Sequence, residues 1–208
     1  MTNPELSARH FIRALRGSEG AGVTAGLRAR LAERAAAADL LDVAYRTMDT
    51  PVGSLLLAAT ARGLVRVAYP AEGHERVLAR LAERISPRVL WAPARLDPAA
   101  LQIEEYFSRR RREFDLPLDL GLSRGFRRDV LACLPDIGYG VTASYASVAA
   151  AAGRPKAVRA VGTACATNPL PLVIPCHRVL RSDGTIGGYV AGGAVKRVLL
   201  DLEAGRTR

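Results

Sequence analysis

Residues 168–179 read NPLPLVIPCHRV, and this stretch decides how the rest of the chain is interpreted. Its first half is an apolar run of the kind that disappears into a core. The run then ends in Pro175, Cys176, His177 and Arg178, which place a rigid ring, a thiol, an imidazole and a cation side by side. A thiol becomes a nucleophile when a neighbouring base or cation stabilises its thiolate. Cys176 is therefore either a reactive thiol or a small apolar residue that ends a buried strand.

The spacing of the thiol and the imidazole limits how they can interact. Adjacent residues in a strand point to opposite faces, so contact between Cys176 and His177 requires a turn or a bridging water. Pro175 favours a departure from regular strand at this point.

A histidine that acts as a base usually needs a carboxylate to orient it, and the final helix offers one. In AVKRVLLDLEAG, residues 194–205, helical spacing predicts a buried stripe of Val195, Val198, Leu199 and Leu202. Glu203 lies at the edge of that stripe and Asp201 lies farther round. Glu203 is then either the orienting carboxylate or an ordinary boundary residue.

Composition favours a folded cytoplasmic protein. The chain has 208 residues, of which 49% are hydrophobic, so it can build a sizeable core. It has no apolar run long enough to span a membrane and no export signal at its start. Its three cysteines lack CxxC spacing, so we expect free thiols and neither a disulfide framework nor a metal site.

The net charge of +10 is concentrated toward the end of the chain. Residues 123–208 hold 12 basic and 5 acidic side chains, which accounts for +7 of the total. Such a concentration favours a polyanionic partner, because neutralised phosphates release counterions. A merely soluble, arginine-rich surface explains the same charge. Arg109 to Arg112, four consecutive arginines, are predicted to be a solvated helix end.

The first part of the chain divides into an extension and an α/β domain. Residues 1–42 are predicted to be a helical extension, with a glycine-rich break at 16–26 before a helix at 25–42. Residues 43–122 are predicted to form the α/β domain, with a strand in VAYRTM and a hairpin turning at Ala61–Gly63. Predicted helices cover residues 72–85 and 98–114.

Residues 123–208 are predicted to form a mostly helical domain. A helix at 124–137 precedes two shorter helices, at 142–153 and 155–168, joined by a tight turn; this is a helix-turn-helix candidate. The second helix offers mainly small residues, with Lys156 and Arg159, so it is poorly equipped to read the major groove. Close backbone approach in the narrower minor groove suits it better.

The region around Cys176 resembles a known family. RAVGTACATN, NPLPLVIPCHRV and SDGTIGGYVAGGAVKRVLLDLE together resemble the active-site region of O6-alkylguanine-DNA alkyltransferases, also called methylated-DNA–protein-cysteine methyltransferases. The resemblance continues upstream, more loosely, to about residue 43. It implies an α/β N-terminal domain with a ribonuclease-H-like sheet and a mostly helical C-terminal domain that carries the helix-turn-helix.

The resemblance also implies a chemistry. Cys176, as an ionised sulfur, would attack the alkyl carbon on O6 of a flipped-out guanine, with O4-alkylthymine as a lesser substrate, and would keep the group permanently. His177 would act as base through a water molecule, and Glu203 would orient the imidazole. The expected partner is double-stranded DNA bound through its minor groove, with no membrane and no cofactor, and the protein is expected to be a monomer.

Further roles follow position by position from the resemblance. Arg159 would fill the space that the flipped base vacates, and Lys156 would assist in binding DNA. Tyr145 would lie near the phosphate and is our candidate proton donor to the leaving base. Asn168 would brace the turn that presents the thiol, while Tyr189 and the backbone of Val190 would line the base pocket.

The chain departs from the family in one region, and two other functions compete. The helix around GFRRDVL, residues 125–131, lacks the Phe-Gln and Val-Trp pairs that family members usually show, and Gly138 replaces a proline. One competing function is a lesion-binding protein without transfer; such proteins typically carry tryptophan at the position of Cys176. The other is a cysteine hydrolase that uses Cys176 and His177 as a dyad.

Overall fold

The computed structural model describes residues 18–38 and 40–206. A four-stranded sheet forms the N-terminal half, in the order β3-β2-β1-β4. Its strands are β1 (Val43–Met48), β2 (Leu55–Thr60), β3 (Gly63–Ala68) and β4 (Val89–Trp91). The β1–β2 and β2–β3 pairs are antiparallel, and β1–β4 is parallel. The predicted first strand and hairpin are confirmed; β4, three residues long, was not predicted.

Both faces of this sheet are covered. Every residue of β2 is buried, which explains its unbroken apolar sequence LLLAAT. Helix α2 (His74–Arg84) packs Val77 and Leu81 on one face, and helix α3 (Asp97–Phe107) packs Ile103 on the other. Both helices were predicted.

The second of these helices is shorter than predicted. It ends at Phe107, and Arg109 follows with a positive φ of 61°. Arg111 pairs with Glu105 at 2.7 Å, while Arg110 and Arg112 are exposed. The arginine run therefore lies just beyond the helix end.

The C-terminal half is mostly helical, so the predicted fold class is confirmed. Its helices are α4 (Phe126–Cys133), α5 (Tyr145–Ala151), α6 (Val158–Ala166) and α7 (Gly192–Glu203). Ser144 caps α5 by accepting a hydrogen bond from the Ser147 amide. Gly153, at a φ of 73°, makes the turn that brings α6 back against α5. This pair lies over α4 and matches the predicted helix-turn-helix.

The apolar run before Cys176 is buried but is not a strand. Residues 168–175 are all buried, yet their only ladder-type contact is an isolated bridge between Pro171 and Ile174. Leu172 adopts a φ of 75°, and Cys176–Arg178 form one 3₁₀ turn. Three prolines remove the amide donors that a strand would need. The expected turn at Pro175 is present.

The N-terminal extension contains one described helix, α1 (Ser18–Ala37). The predicted glycine-rich break is therefore wrong from Ser18 onward, and the rest of it lies outside the described residues. Ala32 and Ala35 are buried, whereas Leu27 and Leu31 are exposed, so the small residues make the contact. Within the described part of the chain, no helix combines the length and apolarity needed to cross a bilayer.

Candidate active site

The Cys176 thiol lies at the base of the site and is fully buried. The side-chain amide of Asn168 donates to Sγ at 3.2 Å and to the carbonyl of Ile174 at 3.0 Å. The Oδ1 of Asn168 accepts from the amide of Leu170 at 2.9 Å. One buried asparagine thus ties the turn before the cysteine to the sulfur itself, in keeping with the predicted bracing role.

The His177 imidazole is held on one edge by Glu203. Nε2 donates to Oε1 of Glu203 at 2.9 Å, and the ring is fully buried. Because Cys176 and His177 share a 3₁₀ turn, their side chains are not forced to opposite faces as in a strand. The turn therefore removes the geometric obstacle that a strand would impose.

The Glu203 carboxylate accepts hydrogen bonds from several groups at once. Tyr106 Oη donates at 2.7 Å, the amide of Gly140 at 3.0 Å, and Arg178 donates through both Nε and Nη2. Burial alone would raise the pKa of the Glu203 carboxyl, but the bonds from His177 and Arg178 outweigh it and hold that pKa at about 2. Glu203 is therefore a saturated, ionised anchor.

The opposite edge of the imidazole is left open. Among the described residues, the buried Nδ1 of His177 has no hydrogen-bond partner. Burial lowers the pKa of His177, against the opposing effect of Glu203, so the ring is neutral at pH 7. With Nε2 donating to Glu203, Nδ1 carries the lone pair and can accept a proton.

The Cys176 thiol is protonated at neutral pH in the free protein, and the expected ionised sulfur concerns the pocket that holds a flipped-out guanine. Burial raises the pKa of its thiol to about 11, although the Asn168 hydrogen bond and the charge of Lys196 oppose that rise. Burial disfavours the charged thiolate, so the thiol keeps its proton at neutral pH. If Cys176 acts as a nucleophile, a base must therefore take that proton.

Lys196 was not predicted to belong to this site. The buried residues of α7 are Lys196, Leu199, Leu202 and Glu203, while Val198, predicted to be buried, is 39% exposed. Lys196 Nζ donates to the carbonyl of Val179 at 2.5 Å and lies 5.7 Å from the ring centre of Tyr145. Its charge favours the thiolate forms of Cys176 and Cys165. The predicted stripe was built from apolar residues alone, so a buried lysine was not considered.

Tyr145 is the first residue of α5 and forms a side wall of the site. Its hydroxyl occupies the space beside Gly187, where an added Cβ would come within 2.3 Å of it, so this position requires glycine. Burial raises the pKa of Tyr145, and the thiols of Cys165 and Cys176 raise it further. The hydroxyl therefore keeps its proton at neutral pH, as a donor must.

Tyr189 and Val190 lie in the loop before α7. Tyr189 is buried, and its hydroxyl shares a 2.9 Å hydrogen bond with that of Tyr69 from the N-terminal domain. Val190 is half-buried. The loop that carries both predicted pocket residues is thus fixed by a tyrosine that sequence reasoning missed.

The predicted DNA-binding cations lie apart from the thiol. Arg159 stands in the first turn of α6, and Lys156 in the turn before it; both side chains are exposed. Neither side chain bonds to another residue in the part of the chain that the structure describes. The structure therefore separates a buried reaction centre from an exposed, positively charged hairpin.

The N-terminal domain contributes to the site in ways that no local pattern signals. Tyr106, on α3, reaches Glu203 across 97 positions of sequence. The backbone of Val67 and the side chain of Arg66 both bond to carbonyls of the turn at Asn168 and Pro169. Among the described residues, no cluster of three His, Cys, Asp or Glu side chains could hold a metal ion.

Two family models match most of the chain. Residues 43–120 match the ribonuclease-like domain of 6-O-methylguanine DNA methyltransferase, and residues 125–205 match its DNA-binding domain. The two matches meet near the junction between the sheet and the helical half.

Individual relatives agree with these models. A methylated-DNA–protein-cysteine methyltransferase of Methanosarcina barkeri is 37% identical over 164 residues, covering 79% of this chain and 99% of the relative. A Mus musculus protein of the same name is 37% identical and covers 80% of this chain and 83% of its own length. The crystal structure of Mycobacterium tuberculosis OGT in complex with DNA is 36% identical, with a TM-score of 0.66, covering 79% of this chain and 94% of that one.

Proposed function

The chain belongs to the 6-O-methylguanine DNA methyltransferase family, whose members repair DNA by alkyl transfer, and we propose that Sγ of Cys176 takes the alkyl group from O6 of guanine. The observation that carries this proposal is the buried Cys176 thiol, which accepts a hydrogen bond from Asn168 and is followed directly by His177, whose Nδ1 has no partner among the described residues. O4-alkylthymine is proposed as a lesser substrate.

Two side chains carry out the two proton transfers of the reaction. His177 Nδ1 takes the Cys176 proton through a bridging water, and Glu203 stabilises the imidazolium that forms. The sulfur forms a bond to the alkyl carbon as the carbon–oxygen bond breaks, and the electron pair goes to the base. Tyr145 donates its hydroxyl proton to the departing guanine. No redox step or external carrier is involved, so no cofactor is required.

The product is a thioether, which explains the expected stoichiometry. A carbon–sulfur bond of this kind does not hydrolyse under physiological conditions, so one protein molecule repairs one lesion. Lys196, beside the thiol, favours the developing thiolate without forming a permanent ion pair.

The DNA complex follows from the exposed hairpin. Double-stranded DNA lies against α5 and α6 through its minor groove, because α6 presents small residues that allow close approach. Lys156 contacts phosphate, and Arg159 enters the base stack when the damaged nucleotide is flipped into the pocket near Tyr189 and Val190. Flipping costs a few kcal/mol, so a residue that fills the gap is needed.

We also propose the domain boundaries, the oligomeric state and the location of the protein. Residues 1–42 form an extension, residues 43–122 the α/β domain and residues 123–208 the DNA-binding and acceptor domain. The protein acts as a monomer in the cytoplasm, where its three cysteines, all free in the structure, remain reduced.

The function is tested by weighing the intact protein after incubation with duplex DNA that contains O6-methylguanine. We expect one methyl group per molecule, mapped to Cys176, and no gain in a Cys176→Ser variant. A Cys165→Ser variant, which removes the neighbouring buried thiol, is the matched control and should still gain the methyl group. Repeated turnover would instead identify a hydrolase, and tight binding without a mass change a lesion-binding protein.

A further inference from the structure

A cavity distinct from the Cys176 site lies at the junction of the two domains. It has a volume of about 330 Å³, and both domains line it. Arg80 and Arg84 approach from α2, Arg127 approaches from α4, and Pro169 and Val190 form part of the wall toward the reaction site. Its size falls within the range of small-molecule pockets.

Positive charge dominates this cavity. Of the described residues that line it, four are arginines and one, Glu72, is acidic. Glu72 already pairs with Arg66, whose other guanidinium bonds go to the carbonyls of Val67, Asn168 and Pro169. The side chains of Arg80, Arg84 and Arg127 make no hydrogen bond or ion pair with any described residue; those of Arg80 and Arg84 are exposed and that of Arg127 is half-buried. Three guanidinium groups thus face one space without a counter-charge.

Most of the remaining lining is apolar, with Thr167 and Asn168 as the polar exceptions. Leu81 and Leu122 stand among the arginines, together with Pro169 and Val190. A purely solvated charge cluster has no need of a concave apolar floor. A floor of this kind suits the sugar or base of a nucleotide, and an arginine rim suits its phosphate, because a guanidinium matches two phosphate oxygens at once.

We propose that this cavity binds a phosphate group of a nucleotide unit, as a second anion site separate from the helix hairpin. Arg159 stands near the start of α6, whereas the cavity meets Ala166 and Thr167 at the other end of that helix. Seven residues of helix separate the two ends by about 10 Å. A phosphate held here is therefore a different contact from those made by Arg159.

The position of the site links its occupancy to the domain junction. An anion that bridges Arg80 and Arg127 joins α2 of the N-terminal domain to α4 of the C-terminal domain. It also lies against the turn at Asn168, which contacts the Cys176 thiol. The proposal concerns binding alone and does not depend on alkyl transfer at Cys176.

The test is calorimetric titration of the full chain with inorganic pyrophosphate, with sodium chloride at matched ionic strength as reference. We expect saturable pyrophosphate binding that weakens at least fivefold in Arg80→Gln and in Arg127→Gln. Arg76→Gln, on the same helix as Arg80, and Arg128→Gln, beside Arg127, are controls: both side chains are exposed and lie outside the cavity. The controls should stay within twofold of the unchanged protein.

Equal weakening in all four variants would overturn the site, because it would show diffuse surface charge. Absence of saturable binding in the unchanged protein would overturn it as well. A second arm adds an unmodified single-stranded oligonucleotide. If the oligonucleotide displaces pyrophosphate from the unchanged protein but not from Arg80→Gln or Arg127→Gln, a nucleic acid strand is the source of the phosphate. Simultaneous binding of both identifies a free anion, and either result supports a phosphate site.

Discussion

The two edges of the His177 ring have opposite surroundings. At Nε2, Glu203 is saturated by donors from Tyr106, Gly140 and Arg178 as well as from His177 itself. At Nδ1, no described residue offers a partner, although the atom is fully buried. A protein gains stability by satisfying buried polar atoms, so an open one needs an explanation. The contrast indicates that one edge is built for position and the other for proton transfer.

The same contrast separates two buried charges on helix α7. Glu203 lies on the closed edge and is fully paired. Lys196, seven residues earlier on the same stripe, is buried, and among the described residues its ammonium contacts the carbonyl of Val179 and the face of Tyr145. Burial lowers the pKa of Lys196, which is the direction expected for a cation without an ionised partner. The helix thus supplies an anchor to the imidazole and a responsive cation to the thiol.

The largest effect is expected from breaking the closed edge with Glu203→Gln. A neutral amide can donate to Nε2 and so favour the wrong tautomer, and it cannot stabilise an imidazolium. We predict that methyl transfer slows by about 10³-fold. Single-turnover rates on methylated duplex measure it. Asp201→Asn, on the exposed side of the same helix, should leave the rate unchanged; an equal loss there would remove the special role of Glu203.

Acid unfolding tests the stability of the same edge. The carboxyl of Glu203 has a pKa of about 2 in the folded protein, against 4.5 when unperturbed. Below about pH 4.5 the unfolded chain therefore binds a proton that the folded chain does not, and stability falls as the pH drops toward 2. The loss amounts to about 3 kcal/mol.

Urea unfolding at several pH values measures this loss. The Glu203→Gln variant should be less stable at neutral pH but should show a flatter decline below pH 4.5. A decline as steep as in the unchanged protein would show that other carboxyls dominate acid unfolding.

The Arg159→Ala variant tests whether the exposed hairpin of α5 and α6 helps to flip the damaged base. If Arg159 only fills the space left by a flipped base, its loss should slow repair in duplex DNA by about 30- to 100-fold, which corresponds to a few kcal/mol. Transfer from the free alkylated base, which needs no flipping, should change by less than twofold. Equal slowing on both substrates would exclude the flipping role.

A smaller effect on the transfer rate is expected from Lys196→Met, which removes the buried cation of helix α7. Without the cation, the thiolate is less favoured, so transfer from the free base should slow by about tenfold at neutral pH. The increase of the transfer rate with pH should also shift to higher pH values. Lys196→Arg should restore much of the rate, and Arg197→Met, on the exposed face, should have no effect. An unchanged pH profile in Lys196→Met would reduce Lys196 to a packing role.

Sequence reasoning selected the candidate site residues because most of them are clustered in a specific motif. The structure buries four of these residues as two hydrogen-bonded pairs, Asn168 with Cys176 and His177 with Glu203. The protonated thiol of the free protein was not predicted, because the depth of burial of a thiol cannot be deduced from its neighbours in sequence. Lys196 was missed because helical periodicity was applied to apolar residues alone.

The supporting contacts were beyond the reach of local patterns. Tyr106 and Tyr69 are separated from their partners by about half the chain, so their roles depend on how the two domains pack. The burial of the proline-rich run before Cys176 was predicted correctly from its apolar residues, and Pro175 indicated the turn that follows it, but the positive φ of Leu172 had no signal in the sequence. The hairpin at Ala61–Gly63 could be predicted from sequence, because its turn and its two flanking strands are adjacent in the chain.

The most direct test of the two-edge account is the protonation of His177 itself, measured by nitrogen-15 NMR of histidine-labelled protein at pH 7. The account predicts a neutral ring with its proton on Nε2 and an unprotonated Nδ1. A proton on Nδ1, in either a neutral ring or an imidazolium, would contradict it.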